Sequence, residues 1–371
     1  MMIFYGFTFT VAELVIFGLF LLAFLYQLYF YFRYQGGTLR LNRKIRKNKI
    51  SFENKPEPVS VIICARDEAE NLKKFLPFIL SQEYPDYEVI VVNDGSTDET
   101  DIILRDMKLE YPHLRTTFVP AGVTNLSTKK LALTLGVKAA LHDILLFTDA
   151  DCMPEDKFWI ARMARNFTPG VEFVLGYGAY FHKKGFINKL ITYDTFFIAL
   201  QYLGFAFNGK PYMGVGRNLA FRKETFFKHK GYASNLHLRS GDDDLMVNKA
   251  ARKNNTRIEI SPDSITWSEP KNSFRAWYFQ KERHLSVSTF YTPISKFRLS
   301  LEPASRGLFY FTLLLTPFFG NLVTIAATLF FYLLRFGVQL LIINRSAKHF
   351  NERRYHFCIL IFDIILLFGI T

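Results

Sequence analysis

The sequence predicts an α/β domain with a mostly parallel sheet, flanked by membrane-spanning helices at both ends. Three observations predict it. An apolar run of membrane length opens the chain, two more close it, and between them short strand-type apolar runs alternate with amphipathic helix-type stretches. Half of the 371 residues are hydrophobic, 40 of them phenylalanine, with ordinary Gly and Pro content, which excludes a disordered or collagen-like chain.

The first apolar run, Phe9 to Phe32, carries one charge, Glu13. It meets the roughly 20 residues a bilayer core requires. It reads as an anchor rather than a cleaved signal, because MMIFYGF has no basic residue and Tyr, Phe and Gln crowd the far end. Arg33, Arg40, Arg43, Lys44, Arg46, Lys47 and Lys49 then face the single acid Glu53, which places this side in the cytoplasm. The net charge of +13 is accordingly assigned to orientation and anionic lipid, not to nucleic acid. A second apolar block spans Leu308 to Ile343, broken by Pro317, Gly320 and Asn321; a third runs from Phe357 to Thr371, beyond the basic segment NRSAKHFNERR. With both basic stretches on one side, the second block crosses an even number of times. Two short spans are expected there, with a re-entrant hairpin as the alternative. The expected division is 1–33 anchor, 34–57 basic linker, 58–303 soluble domain and 304–371 C-terminal helices, in an integral protein of a bacterial inner membrane. Cys64, Cys152 and Cys358 have no zinc-type spacing and read as reduced.

In the soluble middle the expected strands are Val59 to Cys64, Tyr87 to Asn93, Thr116 to Pro120, Ile144 to Thr148 and Val171 to Gly176. Helices are expected near Asn71 to Leu80, Asp98 to Met107, Lys130 to Leu141 and Glu155 to Asn166. Open sheets of this type bind ligands beyond the carboxyl ends of their strands. There the sequence reads ARDEAENL, NDGSTDET and DADCMP, three acid-bearing turns. A turn with Arg66, Asp67 and Glu68 and no GxGxxG argues against a dinucleotide oxidoreductase. Asp149 and Asp151, one residue apart after the apolar ILLFT, lie on one face of extended backbone and suit a hard cation, magnesium or manganese, that also ligates phosphate.

The runs VSVIICARDEAENL, EVIVVNDGSTDET and LLFTDADCMP resemble the family 2 glycosyltransferases of GT-A fold, including the membrane-bound branch of polysaccharide synthases and ceramide glucosyltransferases. The resemblance extends from Pro58 to Ser288. It implies that Asp94 reads the nucleobase and that Asp149 and Asp151 hold ribose and metal-diphosphate. Lys129 or Lys130 lies near the nucleotide, and Arg66 and Glu68 are on the donor side. GVGRNLAFRKETF resembles the acceptor-side loop and helix, and SGDDDLMVNKA the catalytic acidic motif. Counting back from Leu245 puts the base on Asp242; Gly241 stands where Glu is usual, which leaves the base open between Asp242 and Asp243. Three adjacent acids also suit a helix N-terminus. FQKERHLSVS matches a Gln-x-x-Arg-Trp element at Gln280 and Arg283, with His284 in place of Trp, a departure that counts against long-chain polymerisation. The same three residues also fit one face of an interfacial amphipathic helix.

The resemblance thus implies a metal-dependent inverting transfer from a UDP-sugar to a hydroxyl of a lipid or lipid-linked glycan at the cytoplasmic membrane face. Asp242 would be the base, with Arg283 and the cation stabilising the departing diphosphate. The alternatives are a processive polysaccharide synthase coupled to export, and a non-catalytic nucleotide-sugar sensor.

Overall fold

The computed structural model describes residues 2–4, 7–120, 128–236, 238 and 240–368. The last three residues of the third apolar run, 369–371, lie outside the described residues. A hairpin of β1 (Met2–Phe4) and β2 (Phe7–Phe9) leads into α1 (Val11–Phe30). Thr10 starts this helix: its hydroxyl accepts from the Glu13 amide at 3.1 Å, and the Glu13 carboxylate returns to the Thr10 amide. A π-helical turn, Tyr31–Gln35, links α1 to α2 (Gly37–Arg46), which buries Leu41 and exposes Arg43, Lys44 and Arg46.

The remaining elements follow in order: β3 (Val59–Ala65), α3 (Ala69–Leu80), β4 (Tyr87–Asn93), α4 (Thr100–Glu110), β5 (Leu114–Phe118), α5 (Thr128–Ala139), β6 (Ile144–Asp149), β7 (Cys152–Pro154) and α6 (Trp159–Ala164). Then come β8 (Phe173–Leu175), β9 (Gly178–Tyr180), α7 (Phe186–Phe207), β10 (Leu219–Arg222), α8 (Lys223–Lys228), α9 (Asp242–Ala250), β11 (Thr256–Ile258), β12 (Thr266–Ser268), α10 (Phe274–Ser288), α11 (Pro293–Leu315), α12 (Leu322–His349) and α13 (Cys358–Phe368).

The main sheet has the order β11-β8-β10-β6-β3-β4-β5. Strands β6, β3, β4 and β5 are mutually parallel, and β10 runs antiparallel between β6 and β8. Alternate residues of β3 explain its largely apolar sequence. Val59, Val61 and Ile63 pack with Leu72, Leu76 and Ile79 of α3 and Trp159 and Ile160 of α6. Ile62, on the other side, belongs to a cluster with Ile90, Phe147, and Leu133 and Val137 of α5. Both faces are covered, as a parallel sheet requires.

A second, three-stranded sheet, β7-β12-β9, was not foreseen. It shortens the helix expected over Glu155 to Asn166: Met153 pairs with Trp267 and the Glu155 amide donates to Ile265 O at 2.8 Å, so the backbone stays out of helix until Trp159. Helix α7 was also unforeseen. Its composition alone is long and apolar enough to cross a membrane, yet most of the helix is buried within the protein. It docks against α2 through two glycines: a Cβ on Gly37 would lie 2.9 Å from Gly204 Cα, and one on Gly204 would lie 2.0 Å from Tyr34 O.

The helices Val11–Gln35 and Leu322–His349 are also long and apolar enough to span a membrane. Helices α11 and α12 form a hairpin whose turn holds Pro317, Gly320 and Asn321; Gly320 is left-handed and Asn321 caps α12. The helical boundaries differ from the expected ones at both ends. Helix α11 begins at Pro293 and runs through the 303/304 boundary, and α12 continues past Ile343 to His349. This extension packs on the protein: Ala347 is buried and His349 Nδ1 lies 3.3 Å from Asn42 Nδ2 of α2. Polarity is inverted in this bundle. Leu22, Leu25, Phe311, Leu314, Phe330 and Leu333 are exposed, whereas Gln27, Glu302, Arg306, Arg335, Gln339 and Asp363 are buried. Arg335 donates to Gln27 Oε1 and Asp363 Oδ2, each at 2.8 Å; Tyr310 donates to Asp363 at 2.7 Å, and Arg306 reaches it at 3.3 Å. Glu13 also meets Thr324. Charges in such a helical bundle persist only when paired and turned inward, so this network ties α1, α11, α12 and α13 together.

Candidate active site

The site lies at the carboxyl ends of β3, β4 and β6, where three turns meet the start of α9. Two of the turns are laced to each other. The Asp67 carboxylate accepts the Thr97 amide at 2.7 Å, Ser96 Oγ accepts the Asp67 amide at 3.0 Å, and Asp98 accepts the Ala69 amide at 3.0 Å. Several of the polar residues in ARDEAENL and NDGSTDET therefore shape loops, and Asp94 lies buried at the end of β4. Cys64, near the carboxyl end of β3, lies opposite Asp149 in the β3–β6 register and within electrostatic reach of Lys129, Asp94, Asp149 and Asp242 together. Burial pushes its thiol up to about 12, so it stays protonated.

Lys129 and Lys130 divide their work. Lys129 Nζ bonds Asp149 Oδ1 at 3.0 Å and also feels the Asp242 charge. Lys130 is fully buried and its ammonium donates to the carbonyls of Asn235, Leu238 and Ser240 at 2.7, 3.0 and 2.8 Å, fastening the segment that leads into α9. The crevice is open to water, the side chains of Lys129 and Asp149 keeping 44% and 32% exposure. Packing alone would raise the Asp149 pKa, but the Lys129 ammonium, with Arg217 beyond it, holds it below the ordinary value. Asp151 lacks such a lysine. Burial, and then the Asp149 charge, push it up to about 6.

Asp149, Asp151 and Cys152 present ligand atoms within 4.8 Å of one another. Cys152 is buried, its thiol held well above its usual value and donating to Asp151 Oδ1 at 3.6 Å. The two carboxylates fit a hard divalent cation, which would relieve the repulsion that now favours protonation of Asp151.

The three aspartates of SGDDDL separate. Asp244 is buried in the protein beside Tyr291. Asp243 Oδ2 accepts the Gly216 amide at 2.6 Å and Oδ1 the Asp244 amide at 2.8 Å; burial and the Asp242 charge push it up to about 6. The Asp242 carboxylate accepts no hydrogen bond from the described residues and sits half-buried beside the crevice. Gly241 is fixed by its surroundings. It is left-handed at φ 84°, and a Cβ there would lie 2.6 Å from Val287 Cγ1 of α10. Gly241→Glu is therefore expected to destabilise the protein by at least about 2 kcal/mol through backbone strain and overlap. Thermal unfolding in detergent checks this, and parental stability in that variant would contradict it.

Helix α10 closes the site from the side. Gln280 Nε2 donates to Tyr180 OH at 3.1 Å, and Arg217 covers the Tyr180 ring at 4.2 Å. His284 stands exposed at the mouth of the crevice; the walls around it and the Arg283 and Arg217 charges push its pKa down to about 4, leaving a neutral ring. Arg283 is exposed next to it. Glu68 lies near enough to Asp151 to raise its pKa, whereas Arg66 is exposed and only its Nη1, at 3.5 Å, reaches Thr128.

Arg217 was not singled out from the sequence, although the GVGRN segment was. It donates to Ala179 O and Ser268 Oγ at 2.9 and 2.7 Å, with its charge acting on Asp149 and Asp151. The available signal was an arginine between Gly216 and a strand carrying the site, too common a pattern to separate from a surface charge.

An open sheet with these acids at its carboxyl edge, joined to a small second sheet, defines a GT-A domain. Residues 60–228 match the family model for glycosyl transferase family 2, so the chain carries a domain of that family. The poly-beta-1,6-N-acetyl-D-glucosamine synthase of Staphylococcus epidermidis is 34% identical over 100 residues, 27% of this chain and 23% of that protein. The probable glycosyltransferase YdaM of Bacillus subtilis is 26% identical over 275 residues, 69% of this chain and 61% of that protein. The chain thus spans less than two thirds of the length of these curated relatives. The mannosyltransferase PcManGT from Pyrobaculum calidifontis, solved in complex with GDP-Man and Mn2+, superposes with a TM-score of 0.54 at 20% identity, over 95% of this chain and 99% of that one. That likeness shows the fold.

Proposed function

We propose that this protein is an inverting glycosyltransferase that moves a sugar from a UDP-sugar to a hydroxyl of a lipid or lipid-linked glycan at the cytoplasmic face of the membrane. The observation that carries this reading is the convergence of Asp94, Asp149, Asp151 and Asp242 with Lys129 around one crevice, next to a helical bundle with an apolar exterior. Asp94 and Asp149 bind the nucleoside, with Lys129 orienting the Asp149 carboxylate. Asp151, with Asp149, would hold a divalent cation, which would supply positive charge to a bound diphosphate. Arg283 and Arg217 add fixed cationic charge on the same side as the diphosphate leaves. Asp242 takes the proton of the acceptor hydroxyl as that oxygen attacks the anomeric carbon, and the bond to the diphosphate breaks with inversion. The neutral His284 and Gln280 border the acceptor.

The test is to incubate membranes containing the protein with labelled UDP-sugars, and with labelled GDP-mannose because a protein of this fold binds it. Label is expected in an organic-extractable product from a UDP-sugar. Label transferred only from GDP-mannose overturns the donor, and no transfer from any donor favours the sensor reading.

The cytoplasmic placement rests on the basic residues after α1. Cysteines placed in exposed loops of the catalytic domain are expected to resist an impermeant reagent in sealed right-side-out vesicles. Labelling there without permeabilisation reverses the orientation.

A further inference from the structure

Helix α10 rests on the protein through three buried residues, Trp277, Lys281 and Val287, while Phe274, Tyr278 and Phe279 are exposed. The middle contact is an ion pair. Lys281 Nζ lies 2.5 Å from Asp194 Oδ1 of α7, with side-chain exposures of 7% and 5%, and Trp277 Nε1 donates to the other Asp194 oxygen at 3.3 Å. The ammonium also lies 5.1 Å from the centre of the Trp277 ring. A pair so far from water holds one geometry, because any rotation of α10 separates two desolvated charges.

Lys281 is adjacent to Gln280 and less than one turn from Arg283 and His284. Two further contacts of α10 are to the site itself: Gln280 meets Tyr180, and Val287 packs where Gly241 leaves room just ahead of Asp242. We infer that Asp194 and Lys281 are a positioning pair, which fixes the rotation of α10 so that Arg283 and His284 face the donor diphosphate and the acceptor beside Asp242. This rests on the glycosyltransferase reading above. Neither residue touches the reacting groups; they act through α10.

The test uses the full chain in membranes and compares Lys281→Met, the charge-neutral double variant Asp194→Asn/Lys281→Met, Arg283→Ala/His284→Ala, and the combination of Lys281→Met with Arg283→Ala/His284→Ala. The double variant leaves no unpaired buried charge and keeps the question open should Lys281→Met fold poorly. Misplacement by about 1 Å costs up to about a hundredfold in rate. Accordingly, a fall in kcat of at least about tenfold, with a smaller change in donor KM, is expected for Lys281→Met and for the double variant. In the Arg283→Ala/His284→Ala background, removing Lys281 is expected to change kcat by less than about twofold, since the groups it positions are already gone. Full, independent losses in the combined variant overturn the proposal, as does normal kcat in a folded Asp194→Asn/Lys281→Met protein. If Arg283→Ala/His284→Ala itself keeps full turnover, the roles given to those side chains fail and the positioning proposal falls with them. A normal kcat on removing the pair, beside an impaired Arg283→Ala/His284→Ala, refutes only the positioning role.

Discussion

Asp242→Asn is expected to lower turnover by about a hundredfold to ten-thousandfold while leaving donor affinity near its parental value. The substitution preserves shape and removes the proton acceptor, and the donor is held elsewhere, by Asp94, Asp149 and Asp151. Asp243→Asn makes the informative comparison. Its carboxylate already accepts the amides of Gly216 and Asp244, so it is occupied with holding the segment that carries Arg217. An amide there retains one acceptor oxygen, and the expected effect is a weaker donor KM with a smaller loss in kcat. Steady-state kinetics with varied donor separates the two. A dead Asp243→Asn beside an active Asp242→Asn moves the base by one residue, and full turnover in both reduces the cluster to a helix start.

Chelation is expected to abolish turnover, with magnesium or manganese restoring it, and Asp151→Asn to reduce it on the order of a hundredfold even in excess metal. Asp151 is the more exposed to this loss because Asp149 already has Lys129 as a partner, whereas Asp151 has only the charge of Arg217 and the weak Cys152 thiol donor to offset its neighbours. Manganese binding followed by electron paramagnetic resonance in the presence of UDP provides a readout independent of turnover. Undiminished transfer in excess chelator would remove the metal from the mechanism and leave the lysine and arginines to bear the diphosphate charge.

The strands that build the crevice were the most legible part of the chain. β4 occupies Tyr87–Asn93 as expected, and β3 and β6 each differ by one residue at the carboxyl end, because a strand buried on both faces must be mostly apolar and must stop where polar turns begin. The aspartates after those strands were legible for the same reason. Parallel strands bring their carboxyl ends to one edge whatever lies between them, so Asp94, Asp149 and Asp151 fall together by topology. The first membrane-length helix was equally plain, being a single uninterrupted apolar segment.

Other features depended on residues far apart in the chain. Which of two adjacent lysines serves the crevice was decided by the rotation of about 100° between neighbouring positions of α5, which gives Lys129 to Asp149 and Lys130 to three carbonyls about a hundred positions away. Arg217 acquires its place only when β9 and β12 supply its partners, and Gly241 its necessity only when Val287 arrives from α10. The sequence by itself determined the sheet, the acidic edge and the presence of membrane-length helices, since local apolar period and chain topology suffice for those. Only the tertiary structure decided how Asp242 and Asp243 differ, why Lys281 and Asp194 meet, and that α7 is buried within the protein. Those outcomes follow from partner distance, backbone sign and desolvation, none of which a local pattern of residues contains.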